Sequence, residues 1–282
     1  MDSTYEHAIP MTSITSGAGL CVAPDLYSYT VQIANIAMIG QPDTANPWIL
    51  IDAGMPRRAP VIIAEAEARF GPRARPQAIV LTHGHFDHVG ALQALIDDWN
   101  VPVYAHEEEL PYLTGERDYP PGNAMAGGGL VSTVSPFFPH HGIRIHGDLR
   151  ALPSDGSVPF LDDWQWLHTP GHTPGHVSFF RPRDGALVAG DAFITVKQES
   201  LFHVLVQDIE FNGPPAYFTM DWEQAYASVK RLAELRPNFA VTGHGRPVGG
   251  EVLRRGLNDL VDRFPTTEVP PNDRTLHNHR LQ

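Results

Sequence analysis

The chain of 282 residues has one cysteine, Cys21, so it can form no intrachain disulfide and can hold neither a Cys-x-x-Cys redox pair nor a cysteine-built zinc site. A reducing, cytoplasmic setting is therefore expected. Basic residues are also scarce, 20 Lys+Arg against 32 Asp+Glu for a formal charge of −12, and none of them form a run. That balance argues against a phosphate-backbone ligand or an anionic membrane surface, both of which are held by clustered cations. No apolar stretch approaches the ~20 residues of a membrane span. The N-terminal MDSTYEHAIPMTS lacks the basic and apolar regions of a signal peptide.

The chain does have 25 glycines, 26 prolines and a series of short β-rich runs, a pattern of many turns between small elements. Tyr27 to Ile39 and Trp48 to Asp52 read as strands. Pro60 to Phe70, with proline at its start and Gly71 at its end, reads as a helix. Ala78 to Leu81 is a buried strand and Val89 to Trp99 a helix. Val101 to Ala105 is a strand that Pro102 places at an edge. Further strands are expected at Gly142 to His146, Trp164 to Leu167, Val177 to Arg181, Ala186 to Ala189 and Phe239 to Thr242. Helices are expected at Asp221 to Leu235, capped by Asp221, and near Gly250 to Phe264. The order fits two sheets with helices outside. One domain over 1–264 is expected, with insertions at 110–141 and 194–220 and a polar tail at 265–282.

Histidine is abundant, with 15 copies. His83, His85, Asp87 and His88 crowd directly behind the Ala78 to Leu81 strand, where strand ends present side chains to a cleft. Imidazole and carboxylate suit divalent ions of zinc type, and four such groups are too many for one ion with an open catalytic position. Two ions can share them. Three further candidates sit beside glycines at later strand ends: His172, Asp191 and His244. In His168-Thr-Pro-Gly-His172-Thr-Pro-Gly-His176 any of the three histidines could be the ligand.

Taken together, HGHFDH, TPGHTPGH, AGDA and TGHG over Tyr27 to Phe264 resemble the metallo-β-lactamase superfamily, in its glyoxalase II and lactonase-like branch. The resemblance implies an α/β αββα sandwich, two mixed β-sheets flanked by helices, with a dinuclear site along one edge. It implies that His83, His85 and His172 hold the first ion, that Asp87, His88 and His244 hold the second, and that Asp191 bridges them. Asp52 corresponds to a supporting acid, and His168 and His176 become packing or supporting groups. The implied cofactors are two divalent ions, Zn2+ foremost, with Mn2+ or Fe as alternatives.

Two such ions would deliver a bridging hydroxide to a carbonyl, with Asp87 orienting it, in hydrolysis of an ester, thioester or lactone. The expected partner is a small acyl substrate, with no nucleic acid and no membrane. Only 38 residues follow His244, too few for the helical domain of glyoxalase II, and Ala192-Phe193-Ile194 stands where family lactonases place a tyrosine. The competing class is a persulfide dioxygenase with one iron, which the full second ligand set disfavours. A nuclease reading conflicts with the charge. Of the remaining features, Cys21 reads as a small buried residue and Glu107-Glu108-Glu109 as a solvated first helical turn. His140, His141, His203, His277 and His279 read as loop or tail residues, with His203 left open as a pocket-side group. The aromatics and Met125 of the two insertions are expected to fold over the metal edge as a hydrophobic rim.

Overall fold

The computed structural model describes residues 12–42, 47–124, 126, 133–196 and 209–270. Its first sheet contains seven strands in chain order: β1 (Gly19–Ala23), β2 (Leu26–Val31), β3 (Ala34–Ile39), β4 (Ile49–Ile51), β5 (Ala78–Val80), β6 (Val103–Ala105) and β7 (Leu149–Ala151). The run from Tyr27 to Ile39 is not one strand but the β2–β3 hairpin, with Val31 opposite Ala34. The non-glycine residue at its turn, Gln32, takes φ 62° and is held there by Ser13, Ser16 and Arg58. From β4 onward the pairing is parallel.

The second sheet runs in the order β13-β12-β11-β10-β9-β8, with β8 at Ser157–Val158, β9 at Leu161–His168, β10 at Val177–Arg181, β11 at Ala186–Gly190, β12 at Phe239–Thr242 and β13 at Val248–Gly249. Strict alternation along the short strands builds the layers. Ile49, Ile51, Ala78 and Val80 face Trp164, Phe179, Val188 and Val241 between the sheets. Leu50 and Ile79, on the other face, pack on α1 (Ala59–Phe70) and α3 (Leu92–Trp99). Leu187, Ala189 and Ala240 pack on α5 (Trp222–Glu234) and α6 (Gly250–Thr267). The expected four-layer αββα sandwich is therefore present. No described helix is long and apolar enough to cross a membrane.

Several local expectations are corrected. β6 is flanked by β5 and β7 and is no edge strand; Pro102 precedes it and its carbonyl accepts the Ile79 N–H, so the missing amide costs no ladder bond. Residues Gly142 to His146 form no strand, because their amides turn toward the short helix α4 (Leu110–Leu113), with Ile143 and Ile145 donating to Tyr112 and Leu113. The helix expected from Val89 begins earlier, as α2 (Phe86–Val89), and restarts as α3 beyond Gly90. α6 continues through Pro265 to Thr267, into the stretch read as tail. Cys21 lies exposed on edge strand β1. Asp221 caps α5 as expected, accepting from the Gln224 amide.

Candidate metal centre

The ends of β4, β5, β11 and β12 and the β9–β10 loop converge, and their sequences explain how. Asp52, just past β4, adopts φ 61°, an uncommon conformation for a residue with a side chain. Its carboxylate repays this by accepting from the Thr82 amide at 2.7 Å, the Thr82 hydroxyl at 2.8 Å and His88 Nδ1 at 2.8 Å. One buried acid thus fixes both the start of the HGHFDH loop and the tautomer of His88. His83 Nδ1 is engaged by the Thr82 hydroxyl at 3.0 Å, which leaves Nε2 facing inward. His85 sits at the N-cap of α2, and Asp87 and His88 lie in its single turn.

His172 is delivered by the β9–β10 loop. Gly171 (φ +127°) lets the loop press on α5, since a Cβ there would sit 2.2 Å from the Ala225 nitrogen. The outer nitrogen of His172 meets the Thr219 hydroxyl at 3.3 Å. Asp191 follows β11, and its amide donates to His176 Nε2 at 2.9 Å. His244 follows β12 and donates Nδ1–H to the Ile33 carbonyl at 2.9 Å, in the turn of the β2–β3 hairpin. Asn35 ties the same turn to this loop through Thr242 O and Gly245 O at 2.9 and 2.6 Å.

The inner atoms meet. His85 Nδ1 lies 2.9 Å from His172 Nε2. Asp191 Oδ2 is 3.5 Å from His172 Nε2 and 3.3 Å from His244 Nε2, while Oδ1 is 3.6 Å from His88 Nε2. Asp87 Oδ2 is 3.2 Å from His244 Nε2. Within this cluster three ligand-type groups have donor atoms within 4.8 Å of one another: His83, His85 and His172; His83, His88 and Asp191; Asp87, His88 and His244. All seven residues singled out from the sequence are brought together, and all seven are buried.

The electrostatics divide the cage. Burial holds the imidazoles of His83 and His172 well below their ordinary value and His85 at about 4, so these three favour the uncharged form. Against the same burial, Asp191 and Asp52 raise His88 well above its ordinary value, and Asp191 and Asp87 raise His244 to about 10. Asp191 stays well below the carboxylate range despite burial, because His244 and His88 face it. Three buried atoms, His83 Nε2, His88 Nε2 and Asp191 Oδ1, have no hydrogen-bond partner. Polar atoms left without a hydrogen bond so deep in a protein mark a ligand-binding position, and this nitrogen and carboxylate set suits divalent metal ions.

The remaining histidines separate cleanly. His176 is fully buried with both nitrogens used, Nδ1 on Thr169 and Nε2 on the Asp191 amide, so it supports the loop carrying Asp191. His168 bonds the Pro174 carbonyl and stacks on His106 at 4.2 Å. His140 and His141 pair with Phe138 O and Asp118. His203, His277 and His279 lie outside the described residues, as do Met125 and Phe202.

The insertions reach the centre in part. The Tyr119 ring lies 4.5 Å from that of His85, and Phe218 lies 4.9 Å from it, with Phe138 packed behind Phe218. Phe193 and Phe211 instead stack within the layer beneath α5 and α6, and Phe137 is 87% exposed. Glu109, read as solvated, is fully buried. Sequence reasoning missed it, together with Asn35 and Thr219, whereas Tyr119 lies at the site as expected of its insertion.

A family model described as "Metallo-beta-lactamase superfamily" matches residues 29–244. The chain is 52% identical to the Bacillus subtilis protein named "Probable metallo-hydrolase YflN", over 91% of this chain and 97% of that one. A solved B3 metallo-β-lactamase, described as the first with an active-site glutamic acid, superposes with TM-score 0.62 at 18% identity, covering 94% of this chain and 96% of the other. That likeness is one of fold. A structure of TTHA1623 in a di-iron-bound form aligns with TM-score 0.51 at 26% identity, over 77% and 89% of the two chains.

Proposed function

The chain belongs to the metallo-β-lactamase superfamily and is a metallohydrolase of that family with a candidate His/Asp metal cluster; on that premise we propose that it is a dinuclear hydrolase of neutral acyl esters, thioesters or lactones. The observation that carries the reading is Asp191, whose two oxygens face His172, His88 and His244 from opposite halves of the cage. His83, His85 and His172 are assigned to one ion, Asp87, His88 and His244 to the other, and Asp191 to both. Zinc fits the donor set, and the di-iron form of TTHA1623 makes iron the natural second choice. Bound ions would polarise the substrate carbonyl and bring the pKa of water toward neutrality.

The chain's own groups supply the rest. Asp87 is held as a carboxylate against its burial by His244, so it can orient the attacking water and hold its proton. The water oxygen then bonds to the acyl carbon, the bond from that carbon to the leaving oxygen or sulfur breaks, and the proton passes to the leaving atom. Asp52, His176, Thr219 and the Ile33 carbonyl orient the ligands from outside. The rings of Tyr119 and Phe218 against His85 wall the centre with apolar surface, which suits an uncharged acyl chain.

The test is turnover of a panel of acyl esters, thioesters and lactones by protein stripped with chelator and reloaded with zinc. Hydrolysis that disappears on stripping and returns on reloading supports the reading. Inertness toward the whole panel, with oxygen consumption on a persulfide by an iron-loaded sample, would replace it with the dioxygenase.

A further inference from the structure

Of the three glutamates that follow β6, Glu107 and Glu108 are exposed and Glu109 is fully buried. A buried carboxylate must find donors for its oxygens. Oε1 of Glu109 accepts from the Thr173 hydroxyl at 2.7 Å and the Gly175 amide at 2.9 Å. Oε2 accepts from the Gly84 amide at 2.9 Å and from the Tyr119 hydroxyl. Gly84 stands between His83 and His85, and Thr173 directly follows His172. One side chain therefore holds the two loops that carry these three histidines, as well as the tyrosine whose ring lies against His85.

The approach is close enough to require glycine on both sides. A Cβ at Gly84 would fall 2.5 Å from the Tyr119 hydroxyl and 3.3 Å from Glu109 Oε2, and one at Gly175 would fall 2.8 Å from Glu109 Cγ. The bases of the two loops are already joined by the Val177 amide on the Thr82 carbonyl at 2.9 Å. Glu109 adds the second tie, beside the ligand side chains themselves, and two ties at different heights fix an angle that one leaves free.

We propose that Glu109 is a positioning residue for the metal centre, a buried clamp that sets the spacing between the His83/His85 loop and the His172 loop and seats Tyr119 over His85. The proposal rests on the assignment of His83, His85 and His172 to a single ion. Glu109→Gln keeps the shape but turns one acceptor oxygen into an NH2 group; the hydroxyl on that side can turn to accept from it, but the backbone amide there is left facing a donor and loses its bond.

The experiment is a cobalt titration of chelator-stripped protein, followed by visible absorption, which resolves two binding steps and reports the geometry of each. Glu109→Gln should weaken one step by about 10–100-fold, the range for groups that orient ligands from outside, and shift its absorption while the other step is unchanged. Thr173→Val should weaken the same step less, and Thr173→Ser should restore it. His172→Ala must abolish that step; if it leaves both steps intact, the ligand assignment has failed. If His172→Ala abolishes the step while Glu109→Gln leaves both steps intact or weakens both equally, the clamp alone is refuted. Should Glu109→Gln not fold, Thr173→Val and Thr173→Ser decide: equal cobalt affinity and spectrum in these two variants would overturn the proposal.

Discussion

Asp191 faces His172 on one side and His88 and His244 on the other, so under the proposed assignment its replacement should be felt by both halves. Asp191→Asn removes the charge that allows two dications to lie side by side. It should purify with at most one ion and lose hydrolysis, as elemental analysis and an ester assay will show. His172 and His176 sit four residues apart in a repeat, yet their roles differ. His172→Ala should lose an ion outright. His176→Ala removes the acceptor of the Asp191 amide and the partner of Thr169 but no assigned ligand, so it should still fill both sites at saturating metal, with affinity about 10–100-fold lower. If His176→Ala strips an ion while His172→Ala does not, the assignment within the repeat is reversed. At this scale the sequence was informative wherever glycine flanked a residue of the buried cluster at a strand end, as at His83, His172, Asp191 and His244. It was silent about Glu109, because a run of three acids near a helix start looks the same whether or not its last member turns inward.

Among the elements, the β2–β3 hairpin does most to build the site from a distance. Its turn receives the His244 ring through Ile33 O and grips the His244 loop through Asn35, whose oxygen is in turn fixed by Thr30 at 2.8 Å. Asn35→Ala would strip buried acceptors of partners, at a cost of about 1–3 kcal/mol. The variant should show that loss in urea denaturation and bind the ion at Asp87, His88 and His244 more weakly, while the His83 side is unaffected. Unchanged metal affinity would mean the hairpin holds the sandwich together but not the ligand. The hairpin itself was unreadable as such, since thirteen β-rich residues contain no Gly, Asn-Gly or Pro at the turn; Gln32 is forced into positive φ by tertiary partners. The insertions were legible as site-facing through Tyr119 and Phe138. Phe193 and Phe211 were misplaced because an aromatic at an insertion edge can serve the helical core equally well.

Over the whole molecule the two sheets are also fastened by charge. Arg181 on β10, almost fully buried, bonds Asp25 in the β1–β2 turn at 2.7 and 2.9 Å and Asp184 at 2.8 Å, with Trp164 beneath it at 4.8 Å. Arg181→Met leaves the partly exposed Asp25 with only Arg183 and removes the Arg181 partner of Asp184, which should cost about 1–3 kcal/mol in denaturant. Burial raises the Asp25 carboxyl, but Arg181 and Arg183 outweigh it and hold the folded pKa below the ordinary 3.8. The stability this contributes is therefore present above the ordinary value and is lost as pH falls through the lower folded one. In Arg181→Met the acid limb of the stability curve should flatten; an unchanged limb would assign acid sensitivity elsewhere. Two sheets with helices outside were readable from the order of short apolar runs and helices, and the αββα layering came with the family resemblance; alternation could not supply it, because the central strands β3, β4 and β5 are buried on both faces and leave no period. The central claim, two ions bridged by Asp191, is most directly tested by anomalous diffraction from crystals of the zinc-loaded protein. Two peaks about 3.5–4 Å apart, one within reach of His83, His85 and His172 and the other of Asp87, His88 and His244, are the predicted result. A single peak at the first group, with the second group empty under saturating zinc, would contradict it.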